Sequence, residues 1–160
     1  MQLSKNLSLS EMIRSESAKR NGINNMPTEE HTANMRKLAM NVFQPIREHF
    51  NVPIHISSGY RSSALNASIK GASKTSQHST GEAIDIDMDG TSVTNLEVFN
   101  WIKNNLIFDQ VIAEFPLNGN PSWVHVSYES TGKQRKQILI AKKIKNKTIY
   151  LTYKNDNDLN

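Results

Sequence analysis

Two histidines and an aspartate have types and spacing that allow metal chemistry: His78, Asp85 and His125. His78 precedes Gly81, Ala83 and Asp85. Gly81 lets the chain turn, and Ala83 keeps a strand face uncrowded. Asp85 then points to one side of that strand, where its carboxylate can meet an imidazole from the preceding loop. His125 lies in the alternating run Trp123-Val124-His125-Val126-Ser127. An imidazole sharing a face with Trp123 and Ser127 is unusual for a plain core strand. Two imidazoles and one carboxylate, with a fourth position left for water, make a catalytic zinc pattern. Spacing alone leaves metal ligation and ordinary packing both open. The remaining histidines take no role. His31 and His49 fall on a helix away from its apolar stripe and read as solvated, and His55, beside Pro53, reads as packing or surface.

Other side chains carry weaker signals. Arg61 follows a Gly-Tyr turn, and its planar fork suits a carboxylate or a developing oxyanion. A surface arginine capping a helix at Ser63 is an equal reading. The string Asp85-Ile86-Asp87-Met88-Asp89-Gly90 opens like a calcium loop. Such a loop needs a glutamate at its twelfth position, which here is Leu96, and its flank reads as strand.

The elements that must position these groups are legible from periodicity. Ser8 and Glu11 form a capping box, which predicts a helix to Lys19 or Arg20 closed by Gly22. Pro27 fits the first turn of the next helix. There Met35, Leu38, Ala39, Val42, Phe43, Ile46 and Phe50 form one apolar face, with Pro45 expected to kink or weaken a turn. Strands are predicted over 54–58, 82–87, 110–114 and 123–127. Short helices are predicted over 63–69 and 95–104. Residues 137–153 read as a hairpin turning at Lys145-Asn146-Lys147, and 155–160 as a frayed polar end. The expected architecture is α+β: one domain over 1–160, with helices on one face of a mainly antiparallel sheet and the candidate metal at the open face.

The motifs then carry a resemblance. Ser76-Gln77-His78-Ser79-Thr80-Gly81-Glu82-Ala83-Ile84-Asp85 fits S-x-H-x-x-G-x-A-x-D at every fixed position. This resembles the signature of the zinc D-alanyl-D-alanine metallopeptidases, relatives of the hedgehog signalling domain. Ser58-Gly59-Tyr60-Arg61-Ser62, Leu65-Asn66 and Trp123-Val124-His125-Val126-Ser127 resemble the same family's other segments, in the same order. The opening, Leu9 to Pro27, and Gln44-Pro45-Ile46-Arg47 are similar to its phage and prophage branch. The likeness covers roughly residues 7–128 and leaves out the C-terminal hairpin. It implies one zinc ion per chain on His78, Asp85 and His125. It also implies a water as fourth ligand, acidified by the ion, and a carboxylate general base. Several better-known members carry that acid three residues before the last histidine, where this chain has Ser122. Glu114 is the expected base, because an antiparallel hairpin between its strand and that of His125 brings the two together. Asp87 is the reserve, or a residue that orients a ligand. The resemblance makes Arg61 the arginine of substrate and transition state. Ser76 and Gln77 are expected to bond substrate backbone, and Tyr60 and Trp123 to line the cleft.

Composition limits the alternatives. The chain has 160 residues, no cysteine and a net charge of +4. Disulfides, thiolate metal sites and cysteine nucleophiles are excluded. No apolar run is long enough to span a membrane. Residues 131–154 carry eight Lys or Arg and no acid. Lysines that protect a sheet edge explain this, as does attraction to anionic wall polymers. Nucleic-acid binding is disfavoured, because no aromatic platform accompanies the charges. Met1 to Ser10 has one lysine and no apolar core, so no secretory signal is expected. The expected protein is made in the cytosol and acts at the bacterial cell wall or periplasm after release, or as a virion component. It would hydrolyse peptidoglycan stem peptides as a carboxypeptidase or endopeptidase, as phage lytic enzymes do. The alternative is a non-catalytic zinc-containing wall-binding or structural module of the same fold.

Overall fold

A computed structural model describes all of residues 1–160. A short hairpin, β1 (Gln2–Ser4) and β2 (Leu7–Ser8), leads into α1 (Leu9–Met12) and α2 (Glu16–Arg20). The Ser8–Glu11 capping box is present. The single helix expected to Arg20 is nevertheless split, because Ser15 caps a new start by accepting from the Ala18 amide. The split frees two carbonyls for distant partners. The Met12 carbonyl accepts from the Tyr60 amide at 2.7 Å, and that of Ile13 from Asn25 Nδ2 at 2.8 Å.

The long helix begins at Glu29, capped by Thr28, so Pro27 lies just outside it. It runs as α3 (Glu29–Leu38), a π turn (Ala39–Phe43) and α4 (Gln44–Phe50). Pro45 cannot donate to the carbonyl four residues back. The chain widens just before it, and the Gln44 amide reaches the Ala39 carbonyl, five residues back. Next come β3 (His55–Ser58), α5 (Ser63–Ser68), a 3-10 turn (Gln77–Thr80) and β4 (Ala83–Asp87). They are followed by α6 (Asn95–Asn105), β5 (Gln110–Glu114) and β6 (Trp123–Ser127). The chain closes with β7 (Gln137–Ile144), β8 (Lys147–Thr152) and a 3-10 turn (Asp156–Leu159). That last turn corrects the expectation of a frayed end, because Leu159 is buried in the main core.

The sheet is six-stranded, in the order β3-β4-β6-β5-β7-β8. All pairs are antiparallel except β5 with β7, so the α+β expectation holds. Strand alternation separates its faces. Ile84, Ile86, Val111, Ala113, Val124, Val126 and Ile140 point to one side and pack with Met35, Leu38, Val42 and Ile46 of the long helix and with Val98, Phe99 and Ile102 of α6. The opposite face carries Asp85, His125, Ile112, Glu114, Leu139 and Ala141. No helix is long and apolar enough to cross a membrane.

Candidate active site

The uncovered face of the sheet floors a cleft of ≈ 570 Å³ lined by His78, Asp85, His125, Glu114 and Arg61, among others. Asp85 and His125 are direct cross-strand partners on β4 and β6, which places their side chains together. His78 arrives from the 3-10 turn, whose closing residue is Gly81. That glycine has φ +78, and a Cβ there would lie 2.5 Å from the His31 carbonyl oxygen. The motif therefore needs glycine for both conformation and space. Gly59 is constrained differently: a Cβ there would meet the Met12 carbonyl oxygen at 2.3 Å.

Gly59 matters because its own carbonyl lies 2.7 Å from His78 Nδ1. A carbonyl only accepts, so Nδ1 carries the proton and the Nε2 lone pair turns inward. There His78 Nε2 lies 3.2 Å from His125 Nδ1 and 3.3 Å from Asp85 Oδ1, and His125 Nδ1 lies 2.9 Å from Asp85 Oδ1. The three residues offer ligand atoms all within 4.8 Å of one another. Zinc with bonds of about 2.0–2.1 Å in a tetrahedron needs ligand atoms roughly 3.3 Å apart. The observed triangle is close to that figure, so the donor set fits zinc. Its protonation suits as well. Burial holds the His78 imidazole below its ordinary range, against the opposing pull of Asp85. Burial alone would raise Asp85, but the two imidazoles overcome it and keep the carboxyl well below the usual range.

Glu114 ends β5, diagonal to His125, and is only 7% exposed. Burial raises its pKa to about 7, with Asp85 adding to the rise and His125 and Arg61 opposing it. The Ser122 hydroxyl donates to the Phe115 carbonyl at 2.8 Å and only closes the β5–β6 loop. Arg61 does not cap α5, because Ser62 does. Its half-buried side chain reaches the cleft, its Nε is buried without a hydrogen-bond partner, and its charge faces Asp85, Glu114 and Tyr150.

Ser76, Gln77 and Trp123 line the cleft. Two expectations need correction. Tyr60 is 4% exposed and belongs to the core, with its hydroxyl 3.0 Å from His31 Nδ1, so it does not line the cleft. The same contact takes His31 off the solvated surface. Asp87 sits at the far end of β4, where Oδ1 accepts from Asn95 Nδ2 and the Asp89 amide. It neither lines the cleft nor touches a ligand. The acidic string is thus divided between the triad and a turn and forms no calcium loop. His49, exposed as expected, stacks on Trp101 with ring centroids 4.5 Å apart.

Other contributors had no local signal. Buried Asp109 accepts from Gln77 Nε2 at 3.0 Å and from Arg135 through Nη2 at 2.6 Å and the backbone amide at 3.0 Å. It clamps the turn that carries His78 to the segment after β6. Ile112 and Leu139 also line the floor, on neighbouring strands.

Two imidazoles and a carboxylate converge in an open cleft, beside a buried acid and an arginine, and form a group that could hold a metal ion. The family model for peptidase M15 matches residues 5–127, and the chain belongs to that family of zinc D-Ala-D-Ala carboxypeptidases. No curated protein matches the chain. His78, Asp85, His125, Glu114 and Arg61 all lie inside the matched segment, whereas β7 and β8 lie beyond it.

Proposed function

We propose that this chain is a zinc-dependent peptidase that cuts peptide bonds in bacterial peptidoglycan, as a D-Ala-D-Ala carboxypeptidase or an endopeptidase. We place it among phage or prophage lytic enzymes, made in the cytosol and acting at the wall after release or from a virion. The observation that carries the reading is a three-donor triangle of zinc dimensions beside a buried acid whose pKa is about 7.

His78, Asp85 and His125 would hold the zinc, one per chain. When bound, zinc supplies Lewis acidity, which acidifies water and polarises a carbonyl oxygen. Glu114 accepts the proton of the attacking water as the oxygen–carbon bond forms. It then delivers that proton to the amine nitrogen as the carbon–nitrogen bond breaks. A base with a pKa near the working pH is well matched to both transfers. Arg61, with Nε unpartnered, balances negative charge on the substrate, whether a terminal carboxylate or the oxyanion at the reacting carbon. Ser76 and Gln77 flank the bound peptide, and Trp123 offers it an aromatic wall.

Digestion of purified peptidoglycan, with mass spectrometry of the released fragments, tests this and identifies the bond. Release should stop with a chelator and return with added zinc. Zinc-loaded protein that leaves every muropeptide intact would support the non-catalytic wall-binding module instead.

A further inference from the structure

The wall of the cleft opposite the loop over 69–76 comes from β7 and β8, and it carries one side chain with unassigned chemistry. The register aligns Trp123, Glu114, Ala141 and Tyr150 in a single row across four strands. Adjacent strands lie about 4.8 Å apart, so Tyr150 stands two strand spacings, roughly 10 Å, from Glu114. Between them is Ala141, fully buried in a small apolar cluster with Ile112 and Leu139, while Glu114 and Tyr150 on either side of it both line the cleft. Tyr150 is 55% exposed, so it is no core residue, yet it lines the same cleft as His78 and Glu114.

Two of the other three tyrosines have their hydroxyls engaged, and Tyr128, the third, does not line this cleft. The Tyr60 hydroxyl is engaged by His31, and the Tyr153 hydroxyl by Lys103 and Asp156. The Tyr150 hydroxyl has no partner within the protein. Partial burial, then Glu114 and Asp85, raise its pKa, which keeps it a proton donor at neutral pH. Arg61 lines the same cleft as Tyr150.

We infer that Tyr150 is a substrate-contacting residue, whose hydroxyl donates a hydrogen bond to a carbonyl or carboxylate oxygen of the peptide lying across Glu114. The inference rests on the peptidase reading. Because β8 lies beyond the matched segment, this contact is a specificity element contributed by the hairpin.

The test uses the zinc-loaded full chain and a soluble muropeptide stem. Tyr150→Phe should lower kcat/KM about tenfold, mainly through KM, with metal content and melting temperature unchanged. Tyr150→Ala should lower it further, and Ile149→Ala, on the other face of β8, should change nothing. Equilibrium binding of the same stem to Glu114→Gln protein gives a readout without turnover, and there too Tyr150→Phe should weaken binding about tenfold. Wild-type kinetics and binding in Tyr150→Phe would overturn the hydrogen bond even in an active enzyme. A wild-type protein that binds the stem but never cuts it would sink the peptidase reading, while the binding comparison still decides the role of Tyr150.

Discussion

Glu114 faces two demands that pull in opposite directions. As a base it must ionise, yet its burial beside Asp85 raises the pKa to about 7. The folded protein therefore holds this carboxyl protonated more tightly than the unfolded chain does. The charged form is disfavoured by folding at every pH above the ordinary value of 4.5. In metal-free protein, Glu114→Gln should change stability little below pH 4.5. It should then become progressively stabilising up to pH 7 and level off at about 3 kcal/mol. Thermal unfolding across that range checks the sign. The same substitution should keep zinc bound and lower kcat at least about 100-fold, with loss of the acidic limb of the pH profile. A Glu114→Gln enzyme of normal turnover would remove this residue from the base role.

Among the elements, the short strands are the most legible. Ile84, Ile86, Val111, Ala113, Val124 and Val126 alternate with polar or small residues, apart from Ile112 and Trp123, which sets both the strand and the face. Asp85, His125 and Glu114 lie on those strands, so their shared face follows from alternation, whereas their joint role at a metal is implied only by the resemblance. The break between α1 and α2 is not. Ser8 and Ser15 are both competent caps, and the choice to stop at Met12 is made by the Tyr60 amide, far along the chain. The position of β7 beside β5, the core seat of Tyr60 and the bonds of Asp109 likewise depend on contacts without local periodicity. The α1 break also reaches the metal ligands, because the Met12 carbonyl abuts Gly59, which holds His78. Gly59→Ala should therefore weaken zinc binding about 10- to 100-fold, as loss of a ligand-orienting partner does. Competition with a chromophoric chelator measures it, and unchanged affinity would break the link from the helix end to the site.

At the scale of the whole molecule, the matched segment and the C-terminal hairpin form one unit. Asp109 is the bolt between them. Burial raises its pKa, but the bonds from Arg135 and Gln77 outweigh this and leave it below the ordinary value. Its contribution is thus fully present above the unfolded value of about 4 and lost as pH falls through the folded one. Arg135→Ala should cost about 1.5–3 kcal/mol at neutral pH. It should also begin to unfold at a less acidic pH than the parent, as followed by circular dichroism. A second expectation concerns charge. Lys143, Lys145 and Lys147 are exposed around the β7–β8 turn, and we propose that they attract anionic wall polymer. Retention on purified walls should fall as salt rises from about 0.1 to about 1 M, where the screening length shrinks from about 10 to about 3 Å. A flat response would leave these lysines as edge protection alone. The parallel pairing of β5 with β7 has a consequence of another kind. Because β5 and β6 precede β7 in the chain, β5 has a partner on one side only until residues 137–144 have been made. A ribosome stalled before that point would display an unfinished sheet with a bare, sticky margin. The hydrophobic interior is not sealed until Leu159 has cleared the exit tunnel.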